Sequence, residues 1–153
     1  MQQNNLSQLN FRLKLHTLPE VEFKAQSVII PGLNLGTADI PTPFVVVPEP
    51  GNISYDQLTV NFMVGEDMKD YMEIFDWMVG LGYPDGLGTY KRKFIDGSVL
   101  ILNSNQKILK NVRFTDMYPV SLTDLNFDST LTEIQYATAT VNFRFSRFYF
   151  DAV

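Results

Sequence analysis

The chain has 153 residues, 45% hydrophobic and 19% charged, the size and composition of about one soluble domain that buries a core without staples. Its 12 basic and 17 acidic side chains give a net charge of −5, the wrong sign for a sequence-reading nucleic-acid binder. The absence of cysteine and the presence of a single histidine exclude disulfides and thiolate chemistry and leave little room for zinc or imidazole catalysis.

The first pattern in chain order is Phe11, Leu13 and Leu15 alternating with Arg12, Lys14 and His16, the period of a half-buried strand. Thr17 to Glu20 reads as a turn. Val21, Phe23, Ala25, Ser27 and Ile29 then predict a second strand, hairpinned to the first and stopped by Pro31-Gly32. Residues 33–51 are proline-rich, yet Phe44-Val45-Val46-Val47 sits in their middle. Proline cannot donate to a central ladder, so this stretch predicts an edge strand or an extended arm. Its apolar run needs a cover, either its own sheet or a neighbouring subunit.

Alternation returns at Leu58, Val60, Phe62 and Val64. Asp67 reads as a helix N-cap, and Met68, Tyr71, Met72, Phe75, Met78 and Val79 form a helical stripe of about three turns, widened by Ile74 and Trp77. Gly80, Gly82 and Pro84 end it. Residues 83–97 are a turn-rich excursion with the basic run Lys91-Arg92-Lys93. Val99 to Leu102 and Ile108 to Phe114 predict a hairpin turning at Asn103 to Asn105, with a break at Tyr118-Pro119. Leu122 to Phe127 predicts a further strand, and Glu133 to Phe148 a long last one that outruns a small core. The fold class expected is mainly β (α+β): an antiparallel sandwich or open barrel with one packed helix, built as one domain over 1–153.

Candidate chemistry is weak everywhere. His16 lies beside Lys14 on the polar side of a strand, and the chain has no G-x-S-x-G elbow. Glu66, Asp67, Asp70, Glu73 and Asp76 do not match a calcium loop. Acid at a helix start is favoured by the dipole alone, so they read as a solvated helix face. Gly80 to Gly86 follows a helix where a dinucleotide fingerprint follows a strand. Lys91-Arg92-Lys93 reads as a solvated loop or a contact to an acidic neighbour. No catalytic residue, cofactor or metal is assigned. Long strand edges and an apolar arm remain, and pairing such edges with further copies is one way to make them safe.

An ordered set of features spans nearly the whole chain. It begins with Leu9 to Leu13 and Val21 to Ala25, the break Ile30-Pro31-Gly32, and a loop ending at Pro48-Glu49-Pro50-Gly51. Leu58 to Phe62 leads through Glu66-Asp67 into a helix bearing Ile74-Phe75-Asp76-Trp77. Val112-Arg113-Phe114, Tyr118 to Leu122, Leu125 to Asp128 and the alternating Ala137 to Phe145 close it. In this order the chain resembles the tail tube proteins of contractile-tailed bacteriophages, a family that includes tube-initiator and injection-system tube proteins.

The resemblance implies six-fold rings stacking into a hollow tube, long hairpins closing an inner β-barrel, and DNA passing transiently and without specificity through the bore. It implies a virion tail protein assembled in the host cytoplasm, with no enzymatic activity, no cofactor and no membrane insertion. The implied partners are further copies, sheath, baseplate and terminator proteins. A single-ring initiator, baseplate, neck or terminator adaptor is the alternative. On this reading Phe44, Val45, Val46 and Val47 form the subunit-contact arm, and Thr138, Thr140 and Asn142 face the lumen.

Overall fold

A computed structural model describes residues 5–16, 24–83 and 94–151. Its strands are β1 (Phe11–Leu15), β2 (Ala25–Ile29), β3 (Leu33–Pro41), β4 (Val46–Tyr55), β5 (Leu58–Met63), β6 (Ile95–Leu102), β7 (Ile108–Leu122), β8 (Thr138–Arg144) and β9 (Arg147–Asp151). Helix α1 spans Lys69–Gly82. The expectation of a mainly β chain with one packed helix is met among the described residues. The turn at 17–20 and the basic run Lys91-Arg92-Lys93 lie outside them.

A seven-stranded antiparallel sheet runs β1-β6-β7-β8-β5-β2, with β9 also on β7. Strand β7 is the spine. Its first half carries β6 and β9, and its last residues pair with β8. The sheet bends where β7 passes Asp116, a residue with φ 53°. The Ser146 N–H donates to the Thr115 carbonyl at 2.9 Å and the Ser146 hydroxyl to Asp116 Oδ2 at 3.1 Å. Two irregular positions side by side fold one sheet into two layers, as bulges do at sheet corners. One layer is β1-β6-β7-β9 and the other is β7-β8-β5-β2.

The layers enclose one core. The first supplies Leu13, Leu15, Val99, Val112 and Phe114, the second Leu58, Val60, Phe62, Ala139, Val141 and Phe143, with Met117 at the bend and Ile74 from α1. Strand β5 alternates strictly between buried and half-buried residues, as its sequence predicts. Rings of Phe114, Phe145 and Phe148 meet at the bend with centroids 5.0–5.7 Å apart. Tyr55, the last residue of β4, packs against Phe145 and Phe148. The root of the arm is thereby tied to the core.

Several expectations are corrected. Strands β1 and β2 are not a hairpin: β1 pairs with β6 and β2 with β5. Alternation alone names a strand's faces, not its partner. The chain does not break at Tyr118-Pro119. Strand β7 runs through it, because Pro119 sits where β7 is paired on one side only and a missing N–H is tolerated there. Residues 123–137 hold no strand; Leu122 ends β7, while Leu125 and Phe127 alternate without a partner strand. The long last strand begins at Thr138 and is interrupted at Phe145-Ser146, giving β8 and β9 along one edge of β7.

Helix α1 differs from its prediction in cap and face. The residue before it is Met68, with φ 55° and no side-chain cap bond. Asp67 Oδ1 still accepts the Lys69 N–H at 3.3 Å. Ile74 is buried and Tyr71, Trp77 and Met78 pack on the core, whereas Met72, Phe75 and Val79 from the predicted stripe are exposed. The acidic cluster is not wholly solvated either, since Asp70 is buried.

Candidate assembly surfaces

Strands β3 and β4 pair only with each other and make a two-stranded ribbon, the arm. Register runs from Leu33 opposite Tyr55 to Pro41 opposite Val46, shifting between Leu35 and Thr37. Gly36 and Gly51 make that shift compact: a Cβ on Gly51 would stand 3.0 Å from the Gly36 carbonyl. At the tip the Thr42 N–H donates to the Val45 carbonyl and the Val45 N–H to the Thr42 hydroxyl, both at 3.1 Å. This small turn thrusts Phe44 outward, and Phe44 is 95% exposed. Val45, Val46 and Val47 are exposed beside it, as are Leu33, Leu35, Ile40 and Ile53 along the arm. None of these side chains contributes to the core.

Thr138, Thr140 and Asn142 share one face of β8, turned away from the buried Ala139, Val141 and Phe143. Cross-strand register sets Thr140 opposite Asn61 and Asn142 opposite Thr59. The side chains then link across four strands. The Thr140 hydroxyl donates to Asn61 Oδ1, and Asn61 Nδ2 donates to the Ser27 hydroxyl at 2.8 Å. The Thr59 hydroxyl donates to Asn142 Oδ1, and Asn142 Nδ2 to the Ser121 hydroxyl, both at 2.8 Å. The face is polar and uncharged along these rows. Neighbouring amides and hydroxyls satisfy one another here, which holds the side chains flat and ordered. The sequence reading placed Thr138, Thr140 and Asn142 together but missed Ser27, Thr59, Asn61 and Ser121. Those residues alternate with apolar ones on their own strands, and only the pairing of β2, β5, β7 and β8 brings them into one array.

The layer bearing this face has two open edges among the described residues, β2 at one end and the last residues of β7 at the other. Open edges present unpaired N–H and C=O groups.

Elsewhere the described residues contain no group of three or more His, Asp or Glu placed to hold a metal. Among them no helix is long and apolar enough to cross a membrane.

No family model matches the chain. It is 28% identical over 137 residues to the tail tube terminator protein of Enterobacteria phage T4, covering 83% of this chain and 78% of the relative. A sheath-tube complex of the PVC extracellular contractile injection system in the extended state contains a chain with the same fold. The TM-score is 0.75 at 18% identity, over 99% of this chain and 94% of that one. The tube-terminating cap of the anti-feeding prophage also scores 0.75, at 17% identity, over 100% of this chain and 95% of the cap protein. In sequence and in fold, the chain is thus similar to the tube and terminator proteins of contractile tails, the family its ordered sequence features resemble.

Proposed function

We propose that this chain closes with further copies of itself into six-fold rings of a contractile tail tube, and that the Thr138-Thr140-Asn142 face lines the bore. Its likeness to tail tube and terminator proteins makes it a structural tail component of a phage-like virion or injection system, not an enzyme. The observation that carries the ring is the sheet layer β7-β8-β5-β2. It has one open edge at each end and a neutral hydrogen-bonded face on the side away from the core. An edge that meets the opposite edge of an identical copy repeats until it closes, and closure removes every edge. Rows of amides and hydroxyls offer phosphates no cation, and Arg144 stands beyond them at the end of the same β8 face, which suits transient passage of DNA. The arm, with Phe44 to Val47 uncovered, reaches a neighbouring subunit. The exposed Met72, Phe75 and Val79 of α1 supply apolar surface for other tail proteins such as sheath or baseplate.

A single terminating ring is the second reading. It is favoured by the T4 relative and by the anti-feeding prophage cap, both named for ending a tube. Light scattering on sized fractions, with negative-stain images of the same fractions, separates the two: stacked tubes support a main tube subunit and discrete rings a terminator. The chain has no cysteine, so a Thr140→Cys variant takes one gold label per subunit. Gold at the centre of ring images supports a bore-facing β8; gold at the rim overturns it. Phe44→Asp is expected to leave the subunit folded and abolish assembly. Normal rings from that variant remove the arm from the contact.

A further inference from the structure

Charge is segregated along this chain. From Ala25 to Met68 there is no lysine or arginine, while Asp39, Glu49, Asp56, Glu66 and Asp67 all fall there. The arm lies within that stretch and carries Asp39 and Glu49 near its tip. Ala38 pairs with Glu49 and Asp39 with Pro48, so the two carboxylates stand on opposite faces of the ribbon. Both are exposed.

The outer side of the β1-β6-β7-β9 layer gathers basic side chains, with Asp151 among them. Register aligns Arg12 with Leu100, Asn111 and Asp151, and Lys14 with Ser98, Arg113 and Tyr149; Arg147 stands opposite Thr115. The alternate residues Leu13, Leu15, Val112 and Phe114 enter the core. Arg12, Lys14, Arg113 and Arg147 therefore share the solvent side, and all are exposed. Arg113 lies 3.4 Å from Asp151, and the Arg147 guanidinium stacks 5.7 Å from the Tyr149 ring centroid. Arg12, Lys14 and Arg147 make no ion pair among the described residues. Like charges gathered on one sheet face repel unless an acidic surface meets them.

We infer that this basic face is the docking surface for the arm of a second copy. The arm's strands of nine and ten residues reach about 30 Å from their root, far enough to cross a neighbouring sheet. Glu49 then meets Arg12, Lys14 and Arg147, while Asp39 stays on the ribbon's other face. Ile40 and Val47, which share the Glu49 side of the ribbon, rest on the aliphatic stems of those long side chains and on Tyr149. The contact is heterologous, a surface on one copy against a different surface on the next, which is the arrangement that generates rings or stacked filaments. The inference rests on the self-assembly proposed above and assigns its arm a partner surface.

The test is a disulfide between mixed single-cysteine variants, Glu49→Cys and Lys14→Cys, in a chain otherwise free of cysteine. Oxidation of the mixture is expected to give a covalent dimer that neither variant gives alone. Independently, Arg12→Glu with Lys14→Glu is expected to raise the concentration needed for assembly about tenfold or more. Adding Glu49→Lys to the same chain is expected to recover part of that loss, and adding Asp39→Lys, on the other face of the ribbon, is expected to recover none. Thermal unfolding of the unassembled fractions verifies that each variant folds. Rings in the electron microscope without the mixed disulfide, or unaffected by the charge reversal, overturn the inference and leave the ring reading standing. A mixed disulfide and charge rescue in a protein that never forms closed rings keep the inference and remove the ring.

Discussion

Asp70 sits at the junction where β5 hands the chain to α1, and its carboxylate is buried. It accepts the Gly65 N–H at 3.1 Å and the Tyr71 N–H at 2.8 Å, with Lys24 Nζ at 3.9 Å. A buried carboxylate is tolerated because it is bonded and faces a cation. Asp70→Ala strands two backbone donors and is expected to cost about 1–3 kcal/mol. Asp70→Asn keeps an accepting oxygen and loses less; equal denaturant midpoints for the two variants would contradict this account. Asp128 shows what an exposed carboxylate does by contrast. Hydrogen bonds from the Thr130 hydroxyl and N–H, at 2.6 and 2.9 Å, hold its pKa below the usual 3.8. A depressed folded pKa favours the turn above the unfolded value, and that contribution fades as pH falls through the folded one. Carboxyl-carbon NMR is expected to find the Asp128 midpoint below the ordinary aspartate range in the wild type. In Thr130→Val, which keeps only the backbone bond, the midpoint rises.

At the scale of elements, the arm is the part least dependent on the rest. Its strands bond only to each other, and its apolar side chains stay outside the core. Replacing 34–54 by a short turn, with Tyr55 retained against Phe145 and Phe148, is expected to leave unfolding of the subunit within about 0.5 kcal/mol and to remove assembly. Loss of cooperative unfolding would show instead that the arm supports the core. The sequence made this arm legible because prolines bar it from a central ladder while its valines demand cover. Strand β5 was legible because every second residue is buried. Pairing was not, since β1 and β2 present the same alternation whichever strand lies beside them. The helix face was misjudged because α1 is apolar nearly all round. Tertiary packing selected Ile74 and Trp77, which widen the periodic stripe, and left Met72 and Phe75 exposed. The polar array on β2, β5, β7 and β8 was half legible: one strand showed its row, and three others supplied theirs only through register.

At the scale of the whole molecule, charge distribution separates passage from binding. The chain is acidic overall, with a net charge of −5, and the rows Ser27-Asn61-Thr140 and Thr59-Asn142-Ser121 carry no charge. In the proposed ring, rows of this kind give phosphates little to hold beyond Arg144 at the end of the β8 face, so friction along the bore stays low. Replacing Thr138, Thr140 and Asn142 together by lysine inverts that property without entering the core, because all three side chains lie on the side away from Ala139, Val141 and Phe143. The assembled variant is expected to bind short duplex DNA at low salt where the wild type shows no binding. Its affinity should fall steeply with added salt, with a log–log slope of roughly −0.9 for each phosphate neutralised. Unassembled subunits of the same variant should bind far more weakly, since a closed bore surrounds the duplex with cations and a single sheet offers only one side. Fluorescence anisotropy on sized fractions measures both. Equal affinity in rings and single subunits would place these residues on an open surface, and the bore would then have to be sought on the other layer of the sheet.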